Sequence, residues 1–291
     1  MEVENLFKMK DKQIKNVFFE TKYTKEVNIL GVLLIYKFLE YSVINKCFMN
    51  PMSNILNSKV LMKEIDMYGF KSMIQQFLKD KIPTDYSMSY NDKGGVFIAP
   101  MTLNRGQSAE NTEVEYRNNT SDYYKYDSKI SFVILQCLGE IISNFSEHAV
   151  MDTKSILVAS GNKDYFEIAC ADTGDGIVST LGPTLKTKQN ANYLIIEQAL
   201  QKGVTSKQND DHMGFGLWLI DRFADASGGE FCLFSEGGYI HRRQNKLKKG
   251  ACAKWKGTIV YLRIDLSNFD NLKCVISELK NEYGTNRIQK V

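Results

Sequence analysis

Residues 138–149 read LGEIISNFSEHA. Wound as a helix, they put Glu140, Asn144 and His148 on one face, because side chains four apart lie one above the other. Gln136 and Glu147 lie near the same stripe. Ile134, Leu138, Ile141, Ile142, Phe145 and Ala149 form an apolar stripe on the other side. A carboxylate, an amide and an imidazole thus face away from a buried seam. Alone, such a pattern is more often a solvated amphipathic helix; the stretches that follow change its meaning.

The helix is expected from about Lys129 to Val150. Two strands follow, Ser155 to Ser160 and Tyr165 to Ala171, joined by the turn Gly161-Asn162-Lys163-Asp164. Next comes ADTGDGI, Ala171 to Ile177. Ile177 to Met213 has few strand signals, and only Tyr193 to Gln201 looks helical. So long a weakly structured connection inside a compact domain is usually functional or disordered. Gly214-Phe215-Gly216 then opens a helix from Leu217 to Ala226, ended by Gly228-Gly229. Strands follow at Glu230 to Ser235 and Thr258 to Leu266, with a glycine-rich turn and a basic loop between them. A last amphipathic helix runs from about Asn268 to Tyr283. The alternation predicts an α/β sandwich, a mixed or antiparallel sheet with helices on one face.

The first half is less legible. Val27 to Ile44 has helical periodicity, as does Val60 to Leu78 with an interruption near Tyr68-Gly69-Phe70. Val96 to Leu103 reads as a strand. Asn104 to Asp127 is polar and rich in Asn, Glu and Tyr, which suggests a linker or an exposed excursion. A boundary placed there divides the chain into residues 1–125, a small α/β region, and residues 126–291.

Composition sets limits. The chain has 291 residues and a formal net charge of +3, too small to argue for a nucleic-acid or membrane partner. Its six cysteines include no CxxC pair, which fits reduced thiols better than a disulfide framework or a zinc site. The N-terminus, MEVENLFKMKDK, lacks the apolar core of a signal peptide, and Ile29 to Tyr36 is too short to span a bilayer. A soluble cytoplasmic protein is expected. The basic run Arg242, Arg243, Lys246, Lys248 and Lys249 reads as a solvated hairpin loop, with contact to a phosphate or an acidic partner as the minority alternative. Gly139, costly inside a helix by about 1 kcal/mol relative to Ala, is expected to permit close packing. Trp218 and Trp255 look like packing residues.

Two short stretches add chemistry to the helix. Asp172 ends a strand and starts DTGDG. A carboxylate there can accept from an exocyclic amine, and Gly174 and Gly176 leave room for a flat ring against the backbone. A plain tight turn has the same pattern, whereas a calcium loop would need a terminal bidentate Glu that is missing. Gly214-Phe215-Gly216-Leu217 opens a helix, and free N–H groups at such an end attract anions. Neither a Walker A pattern nor a Rossmann fingerprint is present.

The order of the pieces is more specific than any one of them. A helix with Glu-x-x-x-Asn, a strand ending in Asp-x-Gly-x-Gly, a long variable segment, Gly-x-Gly-Leu at a helix start and a strand beginning Gly257-Thr258 resemble the GHKL ATPase superfamily over about Lys129 to Leu266. That superfamily includes type II topoisomerases, large heat-shock chaperones, histidine kinases, mismatch-repair MutL proteins and anti-sigma serine kinases. The resemblance implies a Bergerat-type two-layer α/β sandwich that binds ATP and magnesium. By match to its boxes, Asn144 would hold the magnesium ion and Glu140 would be the general base. Asp172 would bind the adenine amine, with Gly174, Gly176 and Ile177 around that pocket. Gly214, Phe215, Gly216 and Leu217 would hold the phosphates, and Thr258 would support the adenine pocket. Ile177 to Met213 would be the lid. Its Lys202, Lys207 and His212 are the side chains that could meet the γ-phosphate, Lys207 being counted with the nucleotide set. His148 is expected to be structural rather than a phosphoacceptor.

None of the three histidines, His148, His212 and His241, precedes this helix, so a sensor kinase with its phosphoacceptor upstream in the same chain is not expected. Only 25 residues follow Leu266, too few for the second domain of a topoisomerase, chaperone or MutL subunit. The layout is similar to compact regulatory ATPases such as anti-sigma-like serine kinases. It also resembles bacterial ATP-binding proteins in which a STAS-like region precedes the ATPase; IDMYGF, Ile65 to Phe70, echoes that region. The resemblance implies ATP and a partner protein as ligands, with a homodimer as one assembly. It leaves two functions open: an ATPase or protein kinase, or a nucleotide-gated binding module with little turnover.

Overall fold

The computed structural model describes residues 27–44, 53, 55–80, 90–92, 94–103, 114, 117–118, 120–125, 127–148, 155–185, 191–206, 214–252 and 254–283. In chain order its elements are α1 (Ile29–Ile44), α2 (Lys59–Met67), α3 (Phe70–Asp80), β1 (Tyr90–Asp92), β2 (Gly95–Leu103), α4 (Ser128–His148), β3 (Ser155–Gly161), β4 (Tyr165–Ala171), α5 (Ile177–Leu181), α6 (Asn192–Ala199), α7 (Gly216–Ser227), β5 (Glu230–Ser235), β6 (Gly238–Arg243), β7 (Lys246–Ala251), β8 (Thr258–Asp265) and α8 (Phe269–Tyr283). The strands form one eight-stranded sheet in the order β1-β2-β3-β4-β8-β5-β6-β7. Every neighbouring pair is antiparallel.

The sheet is covered on both faces. Leu157, Ala159, Phe166, Ile168, Leu233, Val260 and Leu262 point toward α4, α7 and α8. Ile156, Val158, Ala169, Phe234, Ile259 and Tyr261 point the other way, toward α1, α2 and α3. The described helices after residue 126 therefore lie on one face. The helices of the first eighty residues cover the other, so the expected two layers become three. The reason is in the strands. ILVA in β3 and IACA in β4 do not alternate apolar with polar, and only a sheet buried on both sides tolerates that. α1 completes the argument, since twelve of its sixteen residues are buried and it has no polar face to give to water. Its Lys37 and Glu40 are buried as an ion pair, Nζ to Oε1 at 3.3 Å.

β1 and β2 precede the expected division at 125/126, yet β2 runs along β3 in the same sheet, with Val96 opposite Gly161 and Leu103 opposite Ser155. IDMYGF spans the end of α2, a turn at Gly69 with φ of 73°, and the first residue of α3. The basic run is not a loop. Arg242 and Arg243 end β6, Lys246 to Lys249 belong to β7, and the turn between them uses Gln244 and Asn245 at φ of 48° and 61°. Two consecutive positive φ values match the right-handed twist of a hairpin, which explains the tight connection. β7 lies at the sheet edge, where its lysines discourage pairing with another chain. No helix among the described residues is long and apolar enough to cross a membrane.

Candidate functional site

The polar face of α4 meets the start of α7. A Cβ added to Gly216 would collide with Glu140 Oε2 and lie 3.4 Å from Asn144 Nδ2. A glycine here lets the backbone of the α7 start lie against the carboxylate and the amide together, and a larger residue would make the Glu140 carboxylate move. Asn144 Nδ2 is buried and has no hydrogen-bond partner among the described residues. Leaving such a group unsatisfied costs about 1–3 kcal/mol. Phe215, at the N-cap position, provides no side-chain cap, so the first N–H groups of α7 are not satisfied by it. Gly214 has φ of 67°, and a Cβ there would lie 2.8 Å from the backbone of both Gly203 and Val204. The Gly203 N–H donates to the Gly214 carbonyl at 3.0 Å, which closes the segment between them at its base. Lys202 Nζ sits over the rings of Phe215 and Trp218, 5.8 and 5.3 Å from their centres. Trp218 thus has a polar role beyond packing. Leu217 is half-buried in the first turn of α7 and packs against the core beneath it.

A second group forms around Asp172, which is 3% exposed. Its Oδ1 accepts from the Gly174 N–H at 2.7 Å. Its own N–H donates to the Thr258 carbonyl at 3.0 Å, and its carbonyl accepts from Trp255 Nε1 at 2.8 Å. Gly257, at φ of 95°, presses on the same residue: a Cβ there would lie 2.5 Å from the Asp172 carbonyl oxygen. Gly176 serves a different purpose from the one its spacing suggests. A Cβ at Gly176 would collide with Ser235 Oγ and lie 2.6 Å from Glu236 Oε2, so protein atoms already fill that space. Ser235 Oγ accepts from the Ile177 N–H and donates to the Gly257 carbonyl, each at 2.9 Å. Ser235, Trp255 and Gly257 therefore fix the turn; Gly257 belongs to the motif order, whereas motif matching does not find Ser235 or Trp255. The signal for Ser235 is a hydroxyl closing the apolar strand FCLFS just before a turn.

The expected lid is better anchored than its sequence suggests. It contains α5, a 3₁₀ turn at Gly182–Thr184 and α6. Glu236, at φ of 48°, accepts from the Ser179 N–H at 2.7 Å and from Ser179 Oγ at 2.5 Å. Its carbonyl accepts from Asn192 Nδ2 at 2.6 Å, and Glu197 pairs with Lys249. Lys207 and His212 lie outside the described residues. Hydrogen exchange should therefore find α5 and α6 protected without nucleotide, with nucleotide-dependent change at Gly203, Val204 and Gly214 to Leu217. Equal change across α5 and α6 would show that these anchors do not hold.

Gly139 does not permit close packing: a Cβ there would meet nothing within 4 Å, and nothing in the structure explains the glycine. The side chains thus gather into one group of Glu140, Asn144 and the Gly214–Leu217 turn, and another of Asp172, Gly174, Gly257 and Thr258, which Ser235 links to Ile177. A magnesium ion takes few protein ligands and relies on phosphate oxygens. In the first group the Asn144 side-chain oxygen could supply one such ligand, whereas the unmet Nδ2 is a donor and suits a phosphate oxygen rather than a cation. Compared with known proteins, the chain matches no family model and no curated protein.

Proposed function

We propose that residues 126–291 form a Bergerat-type unit that binds Mg-ATP and hydrolyses it or passes its γ-phosphoryl group to a partner protein. The observation that carries this is the approach of Gly216 to both Glu140 and Asn144, whose buried Nδ2 has no partner among the described residues and is a donor suited to a phosphate oxygen. Asn144 would hold the metal through its side-chain oxygen, and the metal when bound neutralises charge on the phosphates. The uncapped N–H groups at the start of α7 bind phosphate oxygens. Glu140 orients the attacking water or hydroxyl and takes its proton. The adenine amine donates to the Asp172 carboxylate, which the Gly174 N–H holds in place and Trp255 anchors through the Asp172 carbonyl. A turnover assay on the full chain, followed by transfer of labelled phosphate to lysate proteins, separates hydrolysis from kinase activity. Binding without either would leave a nucleotide-gated module.

Asp172→Asn should weaken ATP binding by about tenfold or more. It replaces a charge-assisted hydrogen bond, worth roughly 1.5–3 kcal/mol, with a donor facing a donor. Calorimetry measures it, and an unchanged affinity would remove Asp172 from the adenine site.

A further inference from the structure

Away from these residues, three side chains that bind borderline-soft metal ions converge on the face of the sheet covered by the N-terminal helices. Glu230 and Cys232 are two apart on β5 and point the same way. His241 on β6 lies directly across from Cys232. One donor atom from each of the three lies within 4.8 Å of the other two. His241 Nε2 and Glu230 Oε1 are 2.6 Å apart, a hydrogen bond that the imidazole donates. Cys232 is 4% exposed, whereas the His241 and Glu230 side chains are 19% and 20% exposed. The thiol is thus walled by protein while the imidazole and carboxylate give an ion a way in.

The neighbours carry both signs of charge. Arg243 and Arg263 stand opposite Glu230 on the two flanking strands, and Glu167 stands opposite Arg263 on β4. Arg263 Nε donates to Asp265 at 3.0 Å. Tyr261, opposite Cys232 on β8, donates its hydroxyl to Glu167 at 2.9 Å.

We propose that Glu230, Cys232 and His241 bind a zinc-class divalent ion. The donor set is one sulfur, one nitrogen and one oxygen, which suits zinc and excludes magnesium and calcium, ions that take oxygen ligands. Zinc bonds of about 2.0–2.3 Å place tetrahedral donors about 3.3–3.6 Å apart. The carboxylate and imidazole therefore open by about 0.7 Å from their present contact. On binding, the thiol gives its proton to solvent, and the imidazole nitrogen facing Glu230 exchanges its proton for the metal. Three protein ligands leave a fourth position for water or another ligand. The ion also staples β5 to β6, the hairpin that carries Ser235.

Full-length protein stripped with a chelator should take up one equivalent of zinc, added alone, and keep it in excess magnesium. Cobalt added instead should give a thiolate-to-metal charge-transfer band, and Cys232→Ser should abolish it. Glu230→Gln and His241→Gln should each weaken zinc binding by more than the roughly 10–100-fold that loss of an outer partner costs. Those two positions are partly exposed, so the variants remain informative if Cys232→Ser does not fold. No stoichiometric zinc, no thiolate band in the parent protein, or affinity unchanged in the two glutamine variants would overturn the proposal.

Discussion

Glu140→Ala is expected to cut turnover or phosphotransfer by about 10²–10⁴-fold while Mg-ATP affinity stays within a few-fold. The carboxylate lies against the backbone of Gly216, at the turn where phosphates would be held. In the proposed site it would therefore face the γ-phosphoryl group rather than the adenine. A group that only takes a proton in the transition state contributes to rate and little to binding. Loss of a negative charge beside the triphosphate can even tighten binding. Steady-state kinetics beside calorimetry on the same preparation gives both numbers. Turnover that survives the substitution would move the base elsewhere, with Glu147, about two turns further along α4, the next carboxylate to replace.

The other large effect concerns stability. Arg242→Met is expected to destabilise the protein by about 2–4 kcal/mol. Arg242 Nε and Nη2 donate to the two oxygens of Asp221 at 2.6 and 2.8 Å, and Nη1 donates to Asp225 at 2.9 Å. Both aspartates are on α7, one turn apart, and Asp221 is 7% exposed. Methionine keeps most of the volume but leaves a buried carboxylate without its partner. Breaking one side of such a pair costs far more than the pair's net worth. Because α7 starts at Gly216, the loss should also loosen the phosphate turn. Urea unfolding measures it, and a midpoint shift equivalent to less than about 0.5 kcal/mol would place Arg242 among ordinary surface charges.

α4 was legible because its apolar and polar stripes are both long. β3, β4, β5 and β8 were legible by their apolar runs between turn residues, and the α7 end by Gly228, which adopts φ of 71°. The second helical layer was harder to see, although the clues were present. The strands lack alternation, and α1 lacks a polar face, but what covers a buried surface is set by packing between segments distant in sequence. The basic hairpin was hidden because lysines on an edge strand look like a solvated loop in sequence. Composition cannot tell that Arg242 turns inward to α7 while Lys248 stays in water. At the site, the motif residues Glu140, Asn144, Asp172 and Gly216 were found by spacing. Ser235 and Trp255 were not, because they act through backbone contacts that only the folded chain brings together. Gly176 shows the converse: its motif position suggested room for a ligand, and protein atoms occupy the space.

The most direct measurement of the account is calorimetric titration of the full chain with ATP and with GTP, each with and without magnesium, on the parent protein and on Asn144→Ala. ATP should bind, magnesium should strengthen that binding, and GTP, which lacks the amine expected to donate to Asp172, should bind weakly. Asn144→Ala should lose the magnesium-dependent part alone. No ATP binding, equal affinity for the two nucleotides, or a magnesium effect untouched by Asn144→Ala would contradict the proposed site.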